Sequence, residues 1–381
     1  MKTVFSPIRK QAIQNGDRIR ILVVDDSVVV RSLILRALEF DPSVEVVGAA
    51  AHGRIALAKI PHLNPDVVTL DVEMPQMDGL ETLRNIRQLY PGIYVIMFSS
   101  LTERGAATTL DALTLGANDY VAKPVGESGV EAAIAVLRSD LLPKIKQFFL
   151  SGDTLPAATP VRPAPAPPPA RPPALSGPRP PRKLVAIGVS TGGPTALSVV
   201  IPMLPADFPA PVLIVQHMPP VFTRLLAERL QKLTRLRIEE AEHGALVEAG
   251  KILIAPGDFH MSVEKQGSLF RIVLDQSTPL NSCRPSVDAL FNSVVTAYGA
   301  SAVGIILTGM GQDGLRGAER LKNAGGYVIA QDEASSVVWG MPGFVTRAGI
   351  ADAVLPLTDV VPHLLKQTGQ AGAILSSKAR A

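Results

Sequence analysis

Cysteine is nearly absent from this chain: Cys283 stands alone among 381 residues. No intrachain disulfide can form, and a reducing cytoplasm is the expected compartment. Aromatic residues are also scarce, at 4% with a single Trp, while 47% of residues are hydrophobic. The cores must then be built from Ala, Val, Leu and Ile, which suits buried parallel strands covered by helices. Charge of one sign is in small excess only. The formal net charge is +3, and Arg162, Arg171, Arg179 and Arg182 fall in or beside one Pro-rich stretch. That small excess is only weak evidence for nucleic-acid binding, and no nucleic-acid partner is expected. No apolar run of about 18 residues escapes charges or prolines, so no membrane insertion is expected. The opening "MKTVFSPIRKQAIQNGDRIR" lacks the apolar core of a secretory signal.

What is present divides the chain. Residues 155–181, "LPAATPVRPAPAPPPARPPALSGPRPP", are dominated by Pro and Ala and hold no acidic residue. Pro can continue neither a helix nor a central strand, so this stretch is expected to be an extended spacer. Before it, "RIRILVVDD", "VEVVGAA", "DVVTLD", "YVIMFS" and "DYVAK" alternate with helical patterns, giving five β/α repeats. After it the grammar returns with "KLVAIGV", "PVLIVQ", "KILIAP", "VGIILTG" and "YVIAQD". The expected architecture is two doubly wound α/β domains with parallel sheets, the first flavodoxin-like and the second Rossmann-like. Expected boundaries are an N-terminal extension (1–18), a first domain (19–138), a linker (139–182), a second domain (183–369) and a tail (370–381).

In doubly wound sheets the loops at the carboxyl ends of strands border the functional crevice. In the first domain those ends carry Asp25, Asp26, Asp71, Ser99 and Lys123. Three carboxylates at one edge repel unless a cation neutralises them, and oxygen ligands suit Mg²⁺. Lys123 would add positive charge for phosphoryl oxygens, and Ser99 a hydroxyl. A lone Asp closing a strand is usually a cap or turn residue. The joint order of "VVDDS", "TLDVEMPQMDG", "FSS" and "YVAKP" is more specific, and it resembles the receiver domain of response regulators over residues 19–138. The resemblance implies Asp71 as phospho-acceptor and Mg²⁺ held by Asp26, Asp71 and the Glu73 carbonyl. It also implies that Ser99 and Tyr120 rearrange on phosphorylation. Most receivers are followed by a small DNA-binding module, and the second domain is too long and strand-rich for one.

"VAIGVSTGGP", residues 185–194, runs from a strand into a Gly pair around Ser190. As a dinucleotide loop it fails twice: Ser190 replaces the second Gly of G-x-G-x-x-G, and the next strand ends in His217 rather than an acid. As plain structure it turns a strand into a helix, with Ser190 or Thr191 as cap. As G-x-S-x-G it is a nucleophile elbow, which needs a base for the hydroxyl and a carboxylate to orient that base. His217 ends the next strand, and Asp313 follows a later strand in "ILTGMGQDG". Parallel strands bring all three to one sheet edge. Gly309, Gly311 and Gly314 let backbone N–H groups approach a substrate carbonyl. His52, His62, His243, His260 and His363 are weaker candidates for the base.

"AIGVSTGG", "VQHMP", "IAPGDFHM", "RPSVDALF", "ILTGMGQDG" and "AQDEASSVVWGMP", behind a receiver, resemble the CheB family of chemotaxis protein-glutamate methylesterases, which also deamidate receptor glutamines. The resemblance implies Ser190 as nucleophile, His217 as general base and acid, Asp313 as orienting carboxylate and the Met310 N–H as oxyanion donor. It needs no cofactor in the esterase site. It further implies chemoreceptors as substrate, a histidine kinase as phosphodonor, a monomer, and a receiver that covers the Ser190 edge until Asp71 is phosphorylated. Cys283, in "NSCRPSVD", has no His adjacent in sequence and is not expected to be a nucleophile. A non-enzymatic receiver-linked scaffold, and a hydrolase acting on another protein, remain the rival readings.

Overall fold

The computed structural model describes residues 7–124, 129–149 and 183–370. The chain falls into two units, Met1–Leu150 and Ser151–Ala381. In the first, five apolar runs form β1 (Ile19–Val24), β2 (Val44–Ala50), β3 (Val67–Asp71), β4 (Tyr94–Ser99) and β5 (Asp119–Ala122). They pair in parallel in the order β2-β1-β3-β4-β5. β3 is buried at every position, which is why it reads as a continuous apolar run rather than an alternating one. The helices between strands start on local signals. Ser27, Asp78 and Thr102 accept hydrogen bonds from the Val30, Glu81 and Gly105 N–H groups and so begin Val28–Glu39, Gly79–Leu89 and Glu103–Thr114.

Two expected boundaries move. The linker was expected from residue 139, yet the helix Val130–Lys146 continues through that point. Leu137, Leu141 and Ile145 are buried one turn apart on it, and this apolar face outweighs Pro143 within the helix. Phe148 then stacks on Tyr94 with ring centroids 4.4 Å apart, and Phe149 meets the same ring edge-on at 5.3 Å. The stretch 1–18, expected as an extension, contains a helix, Pro7–Gln14. Gln14 Nε2 donates to Phe149 O at 3.1 Å, so this helix belongs to the first unit. The Pro-rich spacer lies outside the described residues.

The second unit contains β6 (Leu184–Val189), β7 (Val212–Gln216), β8 (Arg237–Glu240), β9 (Lys251–Ile254), β10 (His260–Gln266), β11 (Leu269–Asp275), β12 (Ala302–Ile306), β13 (Tyr327–Gln331) and β14 (Ala353–Leu355). Seven of these form a parallel sheet in the order β14-β13-β12-β6-β7-β9-β8. β10 and β11 form an antiparallel pair of their own. The sequence reading located β6, β7, β9, β12 and β13. It missed β8 and β14, the two edges, because "RIEE" is charged and "AVL" is three residues long. It also missed the hairpin, whose Met261, Val263 and Ile272 join Leu290 and Phe291 in the core.

Chain order reverses at β6, which lies between β7 and β12. The same happens at β1, between β2 and β3. Each unit therefore opens its crevice at the strand from which its sheet was wound outward in both directions. No helix among the described residues is long and apolar enough to cross a membrane.

Candidate functional site

The switch point of the first unit gathers acids. Asp25 follows β1 with its side chain fully buried, and Asp71 closes β3 at 2% exposure. Asp25 Oδ1 accepts from the Ser27 N–H at 2.9 Å, and Asp71 Oδ1 from the Glu73 N–H at 3.3 Å. The inner oxygens, Asp25 Oδ2 and Asp71 Oδ2, meet no donor in hydrogen-bonding geometry. Lys123 Nζ stands 3.1 Å and 2.7 Å from them as a charge. Burial raises the Asp71 pKa to about 6, opposed by Lys123 and reinforced by the negative charge of Asp25. Asp26 is exposed beside them, and one carboxylate oxygen from each of the three acids lies within 4.8 Å of the others. A buried pair of unsatisfied carboxylate oxygens fits a hard divalent cation such as Mg²⁺.

Ser99 ends β4 at the same sheet edge, and Tyr120 lies further back on the neighbouring β5, paired with Met97. Ser99 is 1% exposed and donates to Ser100 O at 3.1 Å. Lys123 is held next to it by its own N–H on Ser99 O at 2.7 Å. Tyr120 is turned inward at 7% exposure, and burial pushes its hydroxyl pKa well above 10. Lys144 donates to Tyr120 O at 2.7 Å and lies 5.2 Å from the ring centroid.

The switch point of the second unit gathers Ser190, His217 and Asp313. Ser190 follows β6, with its N–H on Thr308 O at 3.0 Å. Gly192 takes φ +78 and Gly193 begins the helix Gly193–Val200, so the backbone turns sharply after the serine. A side chain at Gly309 would come within 2.7 Å of Ser190 Cβ, so only Gly lets this loop lie against the serine. The next residue, Met310, leaves its N–H without an acceptor among the described residues. His217 follows β7, with its N–H on Val189 O at 3.2 Å, which sets it on the strand beside Ser190.

His217 Nε2 is 2.8 Å from Asp313 Oδ2. Asp313, at 2% exposure, is enclosed by donors. Oδ2 also accepts from Val287 N at 2.7 Å; Oδ1 accepts from Ser286 Oγ at 2.8 Å and Asn281 Nδ2 at 2.9 Å. Burial alone would raise the Asp313 pKa, but His217, the Val287 N–H and Asn281 hold it down to about 2. Burial likewise opposes charge on the His217 ring. The hydrogen bond to Asp313 and the neighbouring Cys283 outweigh it and raise the pKa to about 10. With Nε2 committed to Asp313, Nδ1 is the nitrogen left for a reacting proton. Among the described residues no hydrogen bond joins Ser190 Oγ to His217. Such contacts are often long before substrate arrives.

Residues 185–364 match the family described as CheB methylesterase, and residues 21–135 match the response regulator receiver domain. A protein-glutamate methylesterase/protein-glutamine glutaminase of Trichodesmium erythraeum is 48% identical over 358 residues, covering 92% of this chain and 99% of that one. One from Nocardioides sp. is 48% identical over 349 residues, covering 92% of this chain and 95% of that one. The crystal structure of the Thermotoga maritima CheB methylesterase catalytic domain is 45% identical, covers 49% of this chain and 98% of that one, and has a TM-score of 0.48. The chain belongs to the CheB family. It is a hydrolase with a receiver unit ahead of a methylesterase unit.

In this CheB family member several residues around the site escaped the sequence reading. Asn281 and Ser286 grip Asp313 from the loop before the helix Val287–Tyr298. Gln216 Nε2 donates to Ser190 O at 3.0 Å. Thr308 Oγ1 donates to Thr191 O at 2.9 Å and accepts from the Val337 and Val338 N–H groups at 3.1 Å and 3.0 Å. They lay inside "NSCRPSVD", "VQHMP", "ILTGMGQDG" and "AQDEASSVVWGMP", motifs in which these residues had no assigned contact. Cys283 is the larger surprise: it has no His beside it in sequence, yet its Sγ lies 3.7 Å from His217 Nδ1. Of the other histidines, His52 and His62 belong to the first unit, His363 bonds Tyr327 Oη at 2.8 Å, and His260 Nε2 lies 3.3 Å from Thr278 O.

Proposed function

We propose that this protein is a phosphorylation-activated esterase that removes methyl groups from glutamate side chains of chemoreceptors and deamidates receptor glutamines. The observation that carries the reading is the 2.8 Å contact of His217 with a carboxylate saturated by donors, one strand from Ser190. Ser190 Oγ attacks the ester carbonyl while His217 Nδ1 takes its proton. Asp313 keeps the ring oriented and stabilises its charge, and the Met310 N–H meets the oxyanion. His217 returns the proton to the leaving oxygen and methanol departs. Water, deprotonated by the same ring, then splits the acyl-Ser190 bond and leaves glutamate. A glutamine loses ammonia in place of methanol through the same steps.

Asp71 receives the phosphoryl group from a histidine kinase. Asp26, Asp71 and the Glu73 carbonyl would hold Mg²⁺, which supplies positive charge for phosphoryl oxygens. Lys123 adds a second charge, and Ser99 offers its hydroxyl to the phosphate. Ser99 and the buried Tyr120 relay the change to the receiver surface. Methanol measured from methylated receptors of the same cell, with and without a phosphodonor and Mg²⁺, tests the reading. Methanol that rises with phosphorylation and vanishes in Ser190→Ala supports it. None from any receptor leaves the scaffold reading or another substrate.

A further inference from the structure

The mechanism above makes no use of the chain's one cysteine, although Cys283 stands against the nitrogen on which that mechanism turns. Cys283 Sγ is 3.7 Å from His217 Nδ1 and 3.4 Å from Asn281 O. The ring orientation is set from its far side. Asp313 accepts from Nε2, so the neutral ring carries its proton there and presents the Nδ1 lone pair to the sulfur. A carboxylate behind an imidazole whose other nitrogen is free is the arrangement that orients histidine ligands of zinc. The spacing agrees. Zn–S near 2.3 Å and Zn–N near 2.0 Å at a tetrahedral angle put the two donor atoms about 3.5 Å apart. Asp313 belongs to the same cluster, with its nearest ligand atom within 4.8 Å of the others.

The sulfur is also held in place. Leu280 and Cys283 exchange backbone hydrogen bonds at 3.1 Å and 2.8 Å. Arg284 donates twice to Asp258 Oδ1, at 3.0 Å and 2.6 Å. Asn281 is tied to both Asp288 and Asp313 at 2.9 Å. The thiol therefore faces the ring from a braced loop rather than a free one. Both Cys283 and His217 are half-buried, so a hydrated ion can reach them from solvent.

We propose that His217 Nδ1 and Cys283 Sγ form an inhibitory site for Zn²⁺ or a similar soft divalent cation. Coordination releases the thiol proton to solvent and, from the protonated ring, the Nδ1 proton as well, while Nε2 keeps its own proton and goes on donating it to Asp313. Water fills the remaining positions. The lone pair that should accept the Ser190 proton is then occupied, and hydrolysis stops until the metal leaves. Thiolate selects Zn²⁺ against Mg²⁺, which keeps this site apart from the oxygen-lined one in the receiver unit.

Co²⁺ added to the full-length protein in excess Mg²⁺ tests the site directly. A thiolate-to-cobalt charge-transfer absorption can come only from Cys283, because the chain has no other cysteine. The band is expected in the wild type, displaced by Zn²⁺, and absent in Cys283→Ser. Zn²⁺ should suppress methanol release by the wild type, and Cys283→Ser should need about 10–100-fold more of it for the same fractional loss. No band in the wild type overturns the site, whether or not Ser190 is the nucleophile. A band with equal Zn²⁺ sensitivity in both proteins overturns the inhibition.

Discussion

Asp71 and Asp313 are the same residue in the same kind of place, and their environments differ almost completely. Each sits at the carboxyl edge of a parallel sheet, beside the strand where winding reverses, and each is 2% exposed. Asp71 faces another carboxylate and is raised to about 6 by burial and that charge, with Lys123 pulling the other way. Asp313 faces donors from Asn281, Ser286, Val287 and His217 and lies at about 2. An unsatisfied carboxylate is ready to take a cation or a phosphoryl group. A saturated one is spent on holding its neighbour still. Position in the fold supplies a crevice; the count of donors decides what a carboxylate in it can do.

The comparison breaks most completely at Ser190. Ser190→Ala should lower methanol release on the order of 10⁶-fold, and His217→Ala nearly as far, because the members of such a set act as a unit. Circular dichroism should show the fold unchanged. Substantial hydrolysis by Ser190→Ala would remove Ser190 from the chemistry.

Asp313→Asn tests the saturated carboxylate and should cost about 10⁴-fold in rate, since an amide no longer fixes the ring. It also carries the pH dependence. His217 lies above its ordinary 6.5, at about 10, so the ring is protonated at neutral pH and cannot yet accept a proton. The wild-type rate should therefore climb as pH rises above neutrality, and Asp313→Asn should move that climb to lower pH. For stability the sign is opposite. The His217 contribution is fully present below pH 6.5 and is lost as pH rises through about 10. The Asp313 contribution is present above pH 3.8 and is lost as pH falls through about 2. Thermal melts of wild type and Asp313→Asn should converge as pH falls through about 2 and stay apart above pH 3.8.

Asp71→Asn tests the unsatisfied one. Stimulation by a phosphodonor with Mg²⁺ should disappear while basal hydrolysis stays. Without Mg²⁺ the variant's first unit should be more stable than wild type by about 1 kcal/mol, because one of two crowded charges is gone. Added Mg²⁺ should narrow that gap by stabilising the wild type alone. A variant less stable than wild type without Mg²⁺ would mean that the pair with Lys123 outweighs the repulsion from Asp25.

Asn281→Ala is the smallest expected effect. It removes one of several donors from Asp313, so the rate should fall about 10-fold, with a small rise in the Asp313 pKa. A loss as large as that of Asp313→Asn would show that Asn281 does more than position the carboxylate.

The repeating apolar runs were enough to read two α/β units, because fully buried parallel strands are written as unbroken stretches such as "VVTL" and "VLIV". The edge strands β8 and β14 of the second sheet and the Pro143-bearing end of the last receiver helix were not legible, since their burial depends on partners distant in sequence. Ser190, His217 and Asp313 were legible for a similar reason: each directly follows a strand or closes its loop, so strand order alone brings them to one edge. The sequence determined which residues arrive there. Packing of segments distant in sequence set their contacts, because hydrogen bonds and charge act through space. It gave Asp313 its donors, left Asp71 with too few, and set Cys283 against the nitrogen of a histidine 66 residues away.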